Sequence, residues 1–425
     1  MGIISARTIL YIVLSILLSL PAFIESYLRS SGNMTLGVVW VVTLALLWSS
    51  WPRYRSRFLR VATYGLSAIV VGNLLASIAI VILVGDTSPT LAPNLNVHVH
   101  FVGAGVPPGI TPDQTVTTNA HGHRTNGPID YWHKPTGALR LVAIGASTTE
   151  ETKLNDHQTW TYMVGQALEA ATKHKVEVIN TALSGVRAEN NYWALREALA
   201  YHPDIVTFLM GINDWNYVIS RQHWSSAHRL LAKFSPLTFG NSPLYRELKE
   251  VYAAIQLWRH PVGNSESTTT LEDDGAYTAS SVRSLERPNK MSFHPTTVDA
   301  DYADWVGGIF DECKKNHIFC LFMDQPTAYS ETASAELRAR LWMTPPFADY
   351  TLSMADMINL SRVYNDWMAQ AVKSNGLTFC PLAAKVPATL DYLIDDCHFN
   401  ENGARRVAEV VTACLLENRS QFEGH

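Results

Sequence analysis

The segment LRLVAIGASTTE, residues 139–150, indicates the fold class of this chain. Its first half, Leu139 to Ile144, is a short and mostly apolar run with β-branched side chains, which is typical of a strand buried on both faces. A tight turn and the start of a helix follow it. Short apolar runs and helical stretches then alternate along the chain, which predicts an α/β domain whose parallel sheet is covered by helices on both faces.

The predicted elements repeat this unit from residue 139 to the end of the chain. Strands are predicted at Leu139–Ile144, Val176–Asn180, Ile205–Met210, Ile318–Met323 and Leu377–Cys380. Helices are predicted at Gln158–Thr172, Glu189–Ala200, Asp301–Lys315, Ser353–Ser374 and Ala404–Leu416. In such sheets ligands bind beyond the carboxyl ends of the strands, so functional residues are expected directly after strands.

Ser147 lies at the first of these strand ends, in a turn that begins with Gly145. A strand-to-helix turn of this kind would raise the serine hydroxyl above the sheet, near the amide dipoles of a helix start. A Gly-x-Ser turn can also be a simple helix cap. Taken alone, the turn therefore leaves a nucleophile and a structural serine as alternatives.

Donor groups follow the next two predicted strands. Ser184 and Gly185 come after the second strand, and Gly211-Ile212-Asn213-Asp214 comes after the third. An oxyanion hole needs neutral donors aimed at the developing negative charge, and the amides of Ser147 and Gly185 and the side chain of Asn213 are such donors. Individually, Gly185 fits a turn with positive φ equally well, and Asn213 an Asx turn.

A carboxylate and an imidazole stand together near the C-terminus, in Asp395-Asp396-Cys397-His398. A serine nucleophile needs a base to take its proton, and the base needs a partner for its other ring nitrogen. His398 is the candidate base and Asp395 the candidate partner. Asp396 is the alternative acid, and only geometry can choose between the two. An isolated Asp/His pair would more simply be a solvated loop.

Together, the four segments resemble the blocks that define the SGNH/GDSL hydrolase superfamily: a serine block, a glycine block, a Gly-x-Asn-Asp block and an Asp-x-x-His block. The resemblance extends over roughly residues 137–416. It implies a flavodoxin-like three-layer α/β/α domain and a serine hydrolase mechanism. The site residues that it implies are the nucleophile Ser147, the oxyanion-hole residues Ser147, Gly185 and Asn213, the base His398 and its partner Asp395.

Two features qualify this resemblance. Ala146 stands where the family usually has an aspartate, which indicates a divergent branch without affecting the proton acceptor. The segment Asn119-x-x-Gly122-x-Arg124 resembles one found upstream of the serine in membrane or secreted relatives. We interpret it as a structural clamp on the first strand, with substrate contact as the alternative.

The first 85 residues contain three nearly uncharged apolar runs, at residues 8–24, 35–51 and 61–84. Each is close to or beyond the roughly 17 residues that a membrane-spanning helix needs. Four arginines crowd the link between the second and third runs (Arg53, Arg55, Arg57 and Arg60), so this link is expected on the cytoplasmic side. The large domain is then extracytoplasmic, as it also is if the first run is a cleaved signal sequence.

Net charge and cysteine spacing limit the kinds of partner and binding site that are expected. A net charge of −5 and a pI near 6.3 argue against a nucleic-acid partner. The five cysteines show no CxxC pair and no histidine at zinc-ligand spacing, so no metal site is predicted. Buried thiols are the simplest interpretation, and in an extracytoplasmic domain Cys380 with Cys397 is the first disulfide expected. The cysteines are Cys313, Cys320, Cys380, Cys397 and Cys414.

The domain plan that follows has three parts. Residues 1–85 form the transmembrane region, 86–136 a linker and N-terminal extension, and 137–420 the SGNH hydrolase domain. Residues 263–293, dense in Ser, Thr, Glu and Asp, are interpreted as a mobile insertion in that domain. Aromatic and amide side chains at expected pocket walls are ambiguous between pocket and core packing: Trp215, Gln325, Tyr329 and Trp342.

The expected function is a serine esterase that hydrolyses an O-acyl ester, acetyl being one candidate, on an extracytoplasmic glycan or a small molecule. An acyl-enzyme mechanism of this kind requires no cofactor and no metal. The first alternative is an O-acyltransferase of polysaccharide modification that uses the same residues. The second is a catalytically silent glycan-binding scaffold. The membrane is an expected partner through the N-terminal helices, whereas acyl length, natural substrate, oligomeric state and any protein partner are left undetermined.

Overall fold

The computed structural model describes residues 90–91, 93–221, 269–273, 289–342 and 350–423. The chain divides into two compact units, and every described residue belongs to the unit made of Ser88–Gln222 and Gln256–His425. The predicted transmembrane segments 8–24, 35–51 and 61–84 lie outside the described residues. Of the helices that are described, each is too short or too polar to span a bilayer.

The described secondary structure is named here in chain order. The strands are β1 (Asn96–Phe101), β2 (Asp113–Thr117), β3 (Arg124–Thr125), β4 (Leu139–Gly145), β5 (Val176–Asn180), β6 (Ile205–Leu209), β7 (Thr269–Asp273), β8 (Asn289–Lys290), β9 (Phe319–Met323), β10 (Tyr350–Thr351) and β11 (Thr378–Cys380). The α-helices are α1 (Ser147–Glu150), α2 (Trp160–Thr172), α3 (Ala188–Ala198), α4 (Ile212–Arg221), α5 (Ala300–Lys315), α6 (Ala335–Arg338), α7 (Met354–Ser374) and α8 (Glu401–Glu417).

The central sheet has the order β11-β9-β6-β4-β5-β3 within the described part of the chain. Its parallel strands, counted along the chain, follow the order 2-1-3-4-5, which is that of flavodoxin-like doubly wound sheets. The predicted α/β class is confirmed. The prediction of a parallel sheet needs one correction, because β3 pairs antiparallel with β5 at the edge, Arg124 opposite Asn180.

The strands β4, β5, β6 and β9 are buried at every position. Both faces must therefore be covered, as in other parallel sheets. The chain leaves β4 toward β5 on one side and then crosses back to β6 on the other, so right-handed crossovers place α2 and α3 on opposite faces. Helix α2 packs against α8, and α3 packs against α5. The order of the chain thus brings the ends of β4, β5 and β6 to one edge.

A buried ion pair explains why β4 accommodates an arginine. Arg140 is fully buried, and its guanidinium donates to Glu177 Oε2 in the adjacent strand at 2.7 and 3.0 Å. It also donates to the carbonyl oxygen of Tyr131 at 3.0 Å. Because both charges are paired and hydrogen-bonded, the low-polarity interior can hold them.

Within the segment 263–293, which the sequence analysis interprets as a mobile insertion, the described residues include two paired strands. Strand β7 pairs in parallel with β1, and β8 pairs in parallel with β10. The N-terminal extension supplies β1 and β2, which pair antiparallel. Strand β7 is polar, so its composition does not indicate a strand. Its partner β1 lies far away in the sequence, so no local pattern predicts the pairing.

The cysteines also depart from the sequence-based expectation. Disulfides join Cys313 to Cys320 and Cys380 to Cys414, whereas Cys397 is a buried free thiol. The expected bridge between Cys380 and Cys397 is therefore wrong. The Cα atoms of Cys380 and Cys414 lie 5.9 Å apart, a separation that suits a disulfide, because α8 packs against the end of β11.

Candidate active site

Ser147, His398 and Asp395 form a hydrogen-bonded chain at the carboxyl end of the sheet. Ser147 is the first residue of α1, directly after β4, and its Oγ lies 2.7 Å from His398 Nε2. His398 Nδ1 lies 2.8 Å from both carboxylate oxygens of Asp395. In this geometry the imidazole can accept the serine proton while the carboxylate stabilises the imidazolium that forms.

The local fold of the Asp395 turn selects one of the two candidate acids. Asp395 Oδ1 accepts hydrogen bonds from the backbone amides of Cys397 at 3.1 Å and His398 at 2.9 Å. These bonds hold its carboxylate beneath the imidazole. The carboxyl of Asp396 instead accepts a hydrogen bond from Tyr329 Oη at 2.7 Å. The hydrogen-bond partner of His398 Nδ1 is therefore Asp395 rather than Asp396.

The two neighbouring carboxyl groups in this turn have pKa values that are shifted in opposite directions. Burial alone would raise the pKa of the Asp395 carboxyl, but the charge and hydrogen bonds of His398 hold it below its ordinary value. Burial, followed by the Asp395 charge, raises the pKa of Asp396 to about 7. Burial lowers the pKa of His398, but Asp395 outweighs this and leaves it raised. Neighbouring carboxyls with separated pKa values can hold different protonation states at one pH.

The candidate oxyanion-hole residues line one cavity of about 440 Å³ together with Ser147 and His398. Gly185 has φ +80°, a conformation that side chains disfavour, so its turn requires a glycine. Asn213 Nδ2 donates to the carbonyl oxygen of Val186 at 2.9 Å. This bond holds the Asn213 side chain against the Gly185 turn, and an amide group has a second hydrogen that remains available to a ligand.

Two buried acids that the sequence analysis did not select support this turn. Glu150 accepts a hydrogen bond from the hydroxyl of Ser184, next to Gly185. Asp214 accepts from the amide of Ala188 at 3.0 Å and so joins the start of α4 to the start of α3. Burial raises the pKa of Asp214 to about 7. The Gly-x-Asn-Asp block contained Asp214, but nothing in the sequence located its partner.

The model of the GDSL-like lipase/acylhydrolase family matches residues 143–406, more than half of the chain. The chain belongs to this family. It is accordingly an enzyme, a serine hydrolase that acts on ester bonds, and the resemblance in its four sequence blocks is confirmed at the level of the family. The comparison with curated proteins finds no match.

Similar solved structures include other hydrolases, each at low sequence identity. A putative GDSL-like lipase from Parabacteroides merdae is 11% identical, with a TM-score of 0.35 over 65% of this chain and 94% of that chain. The acetyl xylan esterase AlAXEase is 13% identical, with a TM-score of 0.35 over 65% of this chain and 100% of that chain. A catalytic mutant of an acetylxylan esterase from Geobacillus stearothermophilus is 13% identical, with a TM-score of 0.36 over 66% and 95%.

The departure at Ala146 leaves the serine turn of this GDSL-family chain intact. The carbonyl oxygen of Ala146 accepts hydrogen bonds from the amides of Thr149 and Glu150, both at 2.9 Å. These are backbone interactions, which any residue at this position can make. The turn that carries Ser147 therefore does not depend on the aspartate that the family usually has here.

Arg124 is a structural clamp, but not on the first strand. The guanidinium of Arg124 donates at 2.8 Å to the carbonyl oxygens of Glu150, Glu151 and Leu154, and it pairs with Asp156 at 2.8 Å. It therefore fastens the loop that follows the serine helix. The predicted type of role agrees with these contacts, whereas the predicted target does not.

Of the four side chains expected at pocket walls, Trp342 lines the cavity, with its ring centroid 6.3 Å from that of His398. Trp215 is fully buried against Tyr364 in the core. Gln325 is also buried, and Tyr329 supports Asp396. Aromatic residues after strand ends thus divide between pocket and core, and the sequence pattern does not separate the two groups.

Replacing Asn213 with alanine is expected to lower kcat for an aryl acetate by about 10²–10³-fold with a small change in KM, because an oxyanion donor acts mainly in the transition state. Steady-state kinetics measure both constants, and thermal unfolding checks that the variant folds. Asn402, an exposed residue of α8 outside the cavity, provides the matched control Asn402→Ala. A loss confined to KM would contradict a role for Asn213 in the transition state.

Proposed function

We propose that this chain hydrolyses O-acyl esters through an acyl-enzyme formed on Ser147, with His398 as general base and Asp395 as its partner. The observation that carries the proposal is the continuous hydrogen-bonded chain from Ser147 Oγ through His398 to Asp395. Ester hydrolysis is the activity of the family, and these hydrogen bonds support the catalytic roles proposed for the three residues.

The proposed reaction has two stages. His398 Nε2 takes the proton of Ser147 as Oγ attacks the ester carbonyl, and a tetrahedral intermediate forms. The amides of Ser147 and Gly185 and the side chain of Asn213 donate to its negative oxygen. The intermediate collapses, the C–O bond breaks and His398 returns the proton to the leaving alcohol. Water, deprotonated by His398, then releases the acid and restores Ser147.

The proposed location is extracytoplasmic, with anchorage by the apolar runs of the first 85 residues. Two disulfides, Cys313–Cys320 and Cys380–Cys414, support this location, since disulfides persist in oxidising compartments. Neutral polar side chains in the cavity, Ser184 and Asn216 among them, suit the hydroxyl groups of a sugar. We therefore propose an O-acylated glycan or a related small molecule as the substrate.

Labelling with a fluorophosphonate probe tests the assignment of the nucleophile. The full-length chain, purified in detergent, is expected to gain one covalent adduct on the peptide that contains Ser147 and to hydrolyse an aryl acetate. Ser147→Ala should abolish both signals, whereas Ser420→Ala, which removes an exposed serine hydroxyl outside the cavity, should abolish neither. An adduct that persists in folded Ser147→Ala would show that another residue is the nucleophile.

A further inference from the structure

A lysine that the reaction does not use lies in the wall of the active-site cavity. Lys153 lines the same cavity as Ser147 and His398, and its side chain is half-buried. Its charge is near enough to the pair formed by Asp395 and His398 to lower the pKa values of both groups, against the other influences on them. Lys153 therefore belongs to the same cavity as the residues of the proposed reaction.

The loop that carries Lys153 is held in place on both sides. Arg124, which is only 4% exposed, donates to the carbonyl oxygens of Glu151 and Leu154, the residues that bracket the Thr152-Lys153 pair. Glu151 adopts a left-handed conformation with φ +53°, and its carboxylate accepts the amide of Trp160 at 2.7 Å. A backbone fixed in this way presents Lys153 at a constant position, which reduces the entropy lost when the side chain binds an anion.

Within the described residues, the ammonium group of Lys153 makes no ion pair and no hydrogen bond. The neighbouring carboxyl groups have other partners: Glu151 with Trp160, Asp395 with His398, and Asp396 with Tyr329. Asp273 also lines the cavity. Apart from His398, the only basic residue in the described lining of the cavity is Lys153. It is thus available to a negative charge on the substrate.

The chemistry of the proposed substrate indicates which part of the ester would carry that charge. His398 gives its proton to the leaving alcohol, so the alcohol part of the ester lies on the His398 side of Ser147. In an O-acylated glycan the acyl group is neutral, so a negative charge lies on the sugar, which is the alcohol part of the ester. Lys153, a basic residue of the lining that also contains His398, can pair with that charge.

We propose that Lys153 is a specificity-determining residue that selects esters whose alcohol part carries a negative charge near the acyl group, as an O-acylated acidic sugar does. The charge can be a carboxylate or a phosphate ester, since an ammonium group binds both. This inference rests on the proposed function, because it names the substrate class of that same site.

The first test is the ratio of kcat/KM for a carboxylated nitrophenyl acetate to that for unsubstituted nitrophenyl acetate, measured on the full-length chain. Lys153→Met is expected to lower this ratio about tenfold, as for the loss of a charged hydrogen bond, and Lys153→Arg to change it less than about threefold. The influence of Lys153 on the pKa of His398 affects both esters equally and cancels in the ratio. Lys315→Met, at an exposed position of α5 outside the cavity, is the matched control. A ratio that is the same in Lys153→Met and wild type overturns the proposal.

The second test does not require turnover. Calorimetry on folded Ser147→Ala measures the affinities for glucuronate, for the phosphate monoester of glucose and for glucose itself. Preference for either anion over glucose, lost on adding Lys153→Met, supports the proposal and identifies the favoured anion. Equal affinity for all three overturns it. Absence of esterase activity in the wild-type protein would instead count against the proposed function. The binding experiment would still test whether Lys153 selects anionic ligands.

Discussion

Replacing His398 with alanine is expected to lower kcat for ester hydrolysis by about 10⁴–10⁶-fold, the range found when a triad base is removed. The reason is geometric. His398 Nε2 lies 2.7 Å from Ser147 Oγ, and within the described lining of the cavity it is the group placed to take that proton. Without it, the hydroxyl must lose its proton to water, and the alcohol must leave without an acid. KM is expected to change little, because the imidazole acts mainly on the transition state.

Stopped-flow and steady-state assays with an aryl acetate measure this loss in kcat, and thermal unfolding followed by circular dichroism shows whether the variant is folded. His157→Ala is the matched control, because His157 is exposed and lies outside the cavity. Added imidazole should restore part of the activity of His398→Ala by entering the space that the side chain leaves. A folded His398→Ala variant that keeps more than about a hundredth of the wild-type kcat would refute the assignment of the base.

Replacing Asp395 with asparagine is expected to lower kcat by about 10³–10⁴-fold, since an amide cannot stabilise the imidazolium or hold its tautomer. The pH profile should move as well. The base is active when neutral, so kcat/KM rises with pH through the pKa of His398, which Asp395 raises above its ordinary value. Without the carboxylate, the pKa of His398 falls and the acidic limb of kcat/KM moves to lower pH.

Asp396→Asn is the matched control for this variant, because Asp396 is an adjacent buried carboxyl of the same size. It bonds to Tyr329 rather than to His398. With its pKa raised to about 7 by burial and by Asp395, it carries only part of a charge near neutral pH. We expect a loss in kcat of less than about tenfold and a smaller shift of the acidic limb. A greater loss in Asp396→Asn than in Asp395→Asn would reverse the two roles.

The secondary structure could be predicted closely where one pattern operates over neighbouring residues. Strand β5 agrees with its predicted bounds Val176–Asn180, and helix α5 begins one residue before its predicted start. Burial on both faces leaves a continuous apolar run, and this local signal survives in the sequence. Strand β7 was not predicted, because its partner β1 lies far along the chain. Helix α4 and strand β1 were also not predicted.

The residues of the candidate site also fall into those that a local pattern predicts and those that only the tertiary structure identifies. Ser147, Gly185 and Asn213 could be predicted as candidates because each follows a buried strand, and the strand order brings those strand ends to one edge. The choice of Asp395 over Asp396 required the turn geometry, in which one carboxylate accepts two backbone amides and its neighbour points to Tyr329. Adjacent residues with the same side chain are distinguished only by backbone direction.

The sequence alone determined the α/β class, the family and the residue types of the site, since these depend on hydrophobic period and on spacing within short segments. The tertiary structure decided the disulfide partners, the pairing of β7 with β1, the target of Arg124 and the place of Lys153 in the cavity wall. Each of these is a contact between residues that are separated by a loop or by most of the chain. Such contacts depend on which surfaces the packed helices and strands bring together, and no local pattern of side chains records them.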